Sequence, residues 1–305
     1  MPQPKLLTAT RILERTMPAT ARRLLVYGAI ALAYLLSIPL GAGTFYGLAS
    51  FAQNPGYWAQ LGAIFGLAVC IYIIRMARPT LFHRVDLIHL AAMVKRLTGQ
   101  ELPSGTEQLK QLDSFVLKLF PSAQASFDCY CKTRQFVLES FTNLPPGNSL
   151  AQLLPQPLAG WLQKGLTASL FGKSGVEAIL AFANKEGRLG DLRRGALIFC
   201  AHYREIFRHS LILSAFSYSL SLFAFWLFLK PVGWVDEALP TDLGFWQYAF
   251  ALILTYWIKA AFLDPIITAA MTITLLQLEQ ETQVSEEVTQ ELSLRLPSLS
   301  QLPSN

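Results

Sequence analysis

The chain has 305 residues, 52% apolar and 15% charged, with 25 Lys and Arg against 20 Asp and Glu for a net charge of +5. Soluble domains carry about 25% charged residues, yet between Arg23 and Arg75 lie 51 consecutive residues without Lys, Arg, Asp or Glu. A water-soluble globule does not cover its surface that way, and four cysteines without framework spacing exclude a disulfide-stapled secreted module. The chain reads as an all-α integral membrane protein with about four transmembrane helices.

Residues 1–23 form a basic N-terminus, with Lys5, Arg11, Arg15, Arg22 and Arg23 against Glu14 alone. No small-residue cleavage site follows a short apolar core, so a cleaved signal peptide is not expected. Residues 24–74 hold the first two spans, 24–48 with an expected kink at Pro39 and 57–74, separated by the turn Gln53-Asn54-Pro55-Gly56. Each approaches the roughly 20 apolar residues that a hydrocarbon core of about 30 Å requires. Gly62 and Gly66 have the small-xxx-small spacing that lets another helix come close.

Residues 75–209 carry 17 Lys and Arg and 10 Asp and Glu, a soluble composition placed between membrane blocks. The apolar period is helical throughout, which predicts a bundle of about six helices between the second and third spans. Leu81, Val85, Ile88, Ala92 and Leu97 trace a first helix ending at Gly99, and Leu109, Leu112, Val116 and Leu119 a second, capped by Ser104 or Thr106 and stopped at Pro121. Residues 122–143 read as a third, closed by Pro145-Pro146-Gly147. A short fourth starts at Ser149, a fifth covers 161–183 with an interruption at Gly172, and a sixth covers 189–209 and runs on into the third span.

Residues 210–278 hold the third and fourth spans: 211–229, with Phe225, Trp226 and Phe228 at its end, and 245–278, interrupted by Lys259, Asp264 and Pro265. The latter is expected to break or kink near Pro265 and continue into the tail. Lys259 and Asp264 stand in apolar surroundings, as a pathway or subunit contact or as a Lys–Asp pair near the interface. In the acidic tail, 279–305, Glu279, Glu281, Glu286, Glu287 and Glu291 face Arg295 alone. Leu278, Val284 and Val288 predict a thin apolar stripe on a short helix, followed by disorder. Basic residues flank the spans at 11–23, 75–84 and 193–208, whereas the loop at 230–244 has Asp236, Glu237 and Asp242 against Lys230. By the positive-inside rule both termini and the middle segment are cytoplasmic, and the basic surplus needs no nucleic acid.

Few residues suggest chemistry. Gly172-Lys173-Ser174 is similar to the end of a phosphate-binding loop, but the glycine required five positions earlier is Thr167, and a helix interruption is the reading taken. His83, His89, His202 and His209 lack the i, i+4 zinc spacing and read as solvated or interfacial. Cys129 and Cys131 diverge on a helix and read as ordinary thiols. Neither a catalytic constellation nor a cofactor or metal site is expected.

Three stretches of the middle segment, in order, resemble the cytoplasmic domain of type II secretion and type IV pilus platform proteins, the GspF/PilC family with the single-domain TadB and TadC proteins. They are Leu87-Ile88-His89-Leu90-Ala91-Ala92-Met93-Val94-Lys95-Arg96-Leu97-Thr98-Gly99 with Leu102-Pro103-Ser104-Gly105 and Leu109, then Gly147-Asn148-Ser149-Leu150, then Ala183-Asn184-Lys185-Glu186-Gly187-Arg188-Leu189-Gly190-Asp191-Leu192 leading into Arg193-Arg194. The acidic residue usual in that last turn falls at Asn184. One such domain, with two spans on each side, follows the Tad-type plan.

The resemblance implies a non-enzymatic subunit of the bacterial inner membrane that couples a cytoplasmic hexameric ATPase to the handling of pilin or pseudopilin subunits. It also implies pairing with itself or with a sister subunit. Lys185, Arg188, Asp191, Arg193 and Arg194, the most charged turn, are the expected partner-facing surface. The rival classes are an oligomeric transporter or channel with Lys259 and Asp264 in its pathway, and a scaffold of another envelope complex such as a conjugation apparatus.

Overall fold

The computed structural model describes residues 6–143, 173–238, 243–281 and 286–303. Among the described residues every regular element is helical, and no strand occurs. Four helices are long and apolar enough to cross a membrane: Met17–Leu48, Pro55–Leu97, Tyr203–Ala238 and Trp246–Glu281. The chain divides into a polar unit, Met1–Thr20, His83–Ser217 and Asp264–Asn305, and an apolar unit, Ala21–Phe82 and Tyr218–Leu263.

The apolar unit is built from most of α2 (Met17–Leu48), α3 (Pro55–Ala77), the main part of α9 (Tyr203–Ala238) and α10 (Trp246–Ile258). α3 starts two residues before the expected 57, with Pro55 at the first position and the Asn54 side chain accepting from the Tyr57 N–H at 3.3 Å, so Asn54-Pro55-Gly56 of the expected turn is the helix's own cap and first turn. Pro39 lies inside α2 and Pro231 inside α9 without ending either helix. The close approach permitted by Gly62 and Gly66 is made by α2: a Cβ on Gly62 would collide with the Gly41 carbonyl oxygen, and one on Gly66 with that of Ser37. Backbone meets backbone there, the packing that membrane helices use where no hydrophobic force drives them together.

Two π-turns, Arg78–Phe82 after α3 and Lys259–Leu263 after α10, contain or precede a proline. Pro79 and Pro265 supply no N–H, so carbonyls a turn earlier lose their ladder partners and the helix widens instead of ending. The expected break near Pro265 is thus a π-turn just before it. In an i→i+5 register the Ala260 carbonyl would need the N–H of residue 265. It takes Arg23 Nε at 3.0 Å instead, and Tyr27, Ile30, Ala260 and Ala261 form a small core beside it with Leu24, Ile74, Phe82 and Trp257.

The polar unit contains α1 (Leu6–Arg15), α4 (His83–Leu97), α5 (Thr106–Leu119), α6 (Ala123–Asn143), α7 (Ser174–Glu186), α8 (Asp191–Ala201), α11 (Asp264–Glu281), α12 (Glu286–Arg295) and a terminal 3₁₀ turn, Pro297–Gln301. Every residue from Ser174 to Asn184 is buried, which marks α7 as the interior helix. It packs on α11, α8, α4 and α6, while α1 packs on α11 and α4. The unit therefore extends beyond residues 75–209. Ala9, Ile12 and Leu13 of α1 and the apolar residues of α11 have found a protein core rather than solvent or lipid.

Three sequence expectations change. The sixth helix does not run unbroken into the third span, because His202 leaves the helical region (φ −107°, ψ 25°) between α8 and α9. That break accompanies an aromatic cluster in which Phe141 lies 6.1, 5.2 and 6.0 Å from Phe199, Tyr203 and Phe207. The tail is docked rather than disordered. Leu292, Leu296, Leu299 and Leu302 are buried, Asn143 Nδ2 donates to the Arg295 carbonyl, and the Ser298 N–H donates to Glu139. Its apolar stripe lies farther along the chain than Val288, which is exposed. The fourth helix from Ser149, most of the fifth, Gly147-Asn148-Ser149-Leu150, Gly172, Asp242 and Val284 lie outside the described residues.

Candidate functional site

The charged turn between α7 and α8 is shaped by its backbone. Gly187 closes α7 in the left-handed region (φ 76°), with its N–H on the Ala183 carbonyl at 3.0 Å, as a left-handed helix cap requires. A Cβ at Gly187 would touch the Phe115 ring at 3.3 Å, and the Lys95 ammonium stands 4.1 Å from the centre of that ring. Asp191 opens α8, where the N-terminal end of the helix dipole favours a carboxylate.

The expected partner residues do not share one environment. Lys185 Nζ lies 3.0 Å from Glu279 Oε2 and Arg194 Nη2 lies 3.3 Å from Glu279 Oε1. Glu279 is only 8% exposed at its side chain, so a buried carboxylate of α11 ties the end of α7 to the first turns of α8. Arg188 is exposed, and Asp191 and Arg193 are half-buried. The outward part of the turn is therefore Arg188 with the flanks of Arg193 and Arg194. The sequence presents Glu279 only as part of an acidic tail. Its signal was its isolation, because the residues from Pro265 to Leu278 are all uncharged.

A second polar group lies inside the same unit. Lys173 Nζ is 3.2 Å from Asp86 Oδ2 and 3.9 Å from Glu177 Oε1, and Thr268 donates to Glu177 Oε2. These contacts join α4, α7 and α11 around carboxylates that are 14% and 8% exposed. Lys173 thus has a structural task that its phosphate-loop likeness concealed. Burying ions is tolerated where charges pair and hydrogen bonds complete the set.

Lys259 and Asp264 fall on either side of the second π-turn boundary. The Lys259 ammonium stands 5.4 Å from the centre of the Tyr218 ring, a cation–π contact at the end of α10. Asp264 begins α11 and is half-buried.

The histidines differ from expectation: His83, His89 and His209 are buried, and His202 alone is intermediate. His83 Nε2 meets the Ser126 carbonyl at 3.1 Å, and His89 Nε2 meets Thr20 Oγ1 at 3.1 Å. Hydrogen bonds of this kind let an imidazole take a buried position on an apolar helix face, which periodicity alone cannot distinguish. Burial pushes the Cys129 thiol up to about 11 and the Cys200 thiol to about 12. Neither is a poised nucleophile.

Compared with family models, with curated proteins and with solved structures, the chain matches none.

Proposed function

We propose that the chain is a non-enzymatic platform subunit of a type IV pilus or type II secretion-like machine in the bacterial inner membrane. In this reading the polar unit lies in the cytoplasm with both termini, a hexameric assembly ATPase engages it, and the membrane helices handle pilin or pseudopilin subunits. The observation that carries it is that the chain holds both four membrane-length apolar helices and a polar helical unit whose buried helix α7 ends in a cationic turn, Arg188 with Arg193 and Arg194. A subunit that serves a soluble motor and membrane-embedded pilins needs one part suited to each.

The ATPase contact is assigned to Arg188, Arg193 and Arg194, with Glu279 holding Arg194 and Lys185, and Asp191 opening α8. A cationic turn fits an acidic partner face, and charge there governs the rate of encounter and the specificity. A single polar unit of this kind pairs with a second copy or with a sister subunit.

Full-length protein in detergent is expected to retain a co-expressed secretion-type assembly ATPase on affinity purification and to lose it on Arg188→Glu with Arg193→Glu. Retention by that double variant removes the assigned surface. Solute flux in vesicles that vanishes on Lys259→Ala, with piliation and secretion intact, replaces the platform by a transporter.

A further inference from the structure

The charges of the apolar unit are segregated. Arg22, Arg23, Arg75, Arg78 and Lys259 border one end, and the opposite helix ends hold Lys230 with Asp236 and Glu237. The basic residues belong to one neighbourhood, since Leu24, Tyr27, Ile74, Phe82, Trp257 and Phe262 share a core there. Two of the five cations are engaged inward. Arg23 is 2% exposed, with Nε on the Ala260 carbonyl and its guanidinium 5.1 Å from the Tyr27 ring centre. Lys259 lies on Tyr218.

The other three are placed differently. Arg75 and Arg78 are exposed and Arg22 is half-exposed, and among the described residues no carboxylate pairs with any of them. Apolar side chains stand beside them in the open: Leu25, Met76 (64% exposed) and Leu81 (61% exposed). The π-turn Arg78–Phe82 carries both Arg78 and Leu81, so the widened turn presents a cation and an aliphatic group together.

We infer that Arg22, Arg75 and Arg78 bind the phosphate of an anionic phospholipid, whose acyl chains lie along Leu25, Met76 and the adjoining helix surfaces. Uncompensated guanidinium groups call for an anion, and guanidinium matches phosphate with paired N–H donors. The exposed Leu and Met settle which anion. A free phosphate leaves them in water, whereas a lipid covers them with hydrocarbon while its headgroup meets the arginines. Arg23 and Lys259 are engaged with Ala260, Tyr27 and Tyr218, which leaves Arg22, Arg75 and Arg78 as the outward cations of this end. This inference rests on the charge and exposure of the apolar unit, independently of any ATPase or pilin.

Full-length protein is titrated in detergent with phosphatidylglycerol, with phosphatidylcholine and with inorganic phosphate, reading thermal stability and lipids retained in native mass spectrometry. Phosphatidylglycerol is expected to be preferred over phosphatidylcholine by on the order of a hundredfold at low salt, roughly fivefold per arginine. The preference shrinks as salt rises. Arg22→Gln, Arg75→Gln and Arg78→Gln together bring it to about unity, and Lys230→Gln leaves it unchanged. Equal retention of both lipids, protection by inorganic phosphate equal to that by lipid, or an undiminished preference in the triple variant overturns the site. If the triple variant does not fold, the salt titration of the unaltered chain decides: a preference that does not shrink with salt also overturns it.

Discussion

The two units use the same helical vocabulary and are held together differently. In the apolar unit α2 and α3 meet through glycine backbones, and polar links reach main-chain carbonyls, as in Arg23 on the Ala260 carbonyl and Trp257 Nε1 on the Leu24 carbonyl at 3.2 Å. In the polar unit α7 is buried on all sides, and carboxylates from α4, α7 and α11 are paired with lysines and an arginine around it. A hydrocarbon environment gives no extra reward for burying leucine, so close approach supplies the attraction. In water the reward comes from apolar burial, and each ion taken inside must bring its partner.

The largest break in that contrast is steric. Gly62→Leu drives a side chain into the Gly41 carbonyl and the Phe45 side chain and is expected to abolish a monodisperse folded species on size exclusion. Gly43→Leu and Gly47→Leu, where a Cβ meets nothing within 4 Å, are expected to leave the profile unchanged. An equal tolerance at Gly62 and Gly43 would erase the distinction between the units.

Next in size is Lys173→Met, which leaves Asp86 and Glu177 without their shared cation. Breaking a buried pair costs about 3–5 kcal/mol, read as a lowered denaturation midpoint, and adding Glu177→Leu is expected to recover part of the loss. Leu296→Ala follows, with a loss of about 2–5 kcal/mol where the site cannot collapse. Its distinguishing readout is protease cleavage near residues 286–303, since the tail is released before the rest of the unit unfolds.

The smallest effect at neutral pH concerns the thiols. Cys129 and Cys200 have folded-state pKa values raised by burial from 9.0 to about 11 and about 12. A raised value means the folded state holds the proton longer. Their contribution to stability is complete below pH 9.0 and falls as the pH climbs towards those folded values. A maleimide at neutral pH is expected to label Cys131, which is exposed, well ahead of both. Prompt labelling of Cys200 would mean that α8 opens readily.

Local signals carried the reading far at α3, α4, α5 and α6. Asn54-Pro55, Gly99, Pro121 and the Leu109-to-Leu119 stripe act within a few residues of where they stand, and the helices begin or end beside them. They failed at His202, where no breaker residue marks the turn, and at the tail. There the Leu292, Leu296, Leu299 and Leu302 spacing was present but lay beyond the stripe that was read. The charged turn was legible as a turn, but not as a group anchored by Glu279.

What the sequence determined by itself is the class of solvent each segment needs, as in the uncharged 51-residue block and the polar middle segment. Hydropathy and hydrogen-bond periodicity are properties of neighbours in the chain, so they can be read along it. Only the tertiary structure decided which charges are engaged. Arg23 reaches a carbonyl 237 positions away, and Lys185 a carboxylate 94 positions away. Two helices of the right composition have many faces on which to meet, and packing selects the one that leaves Arg23 inside and Arg75 and Arg78 outside.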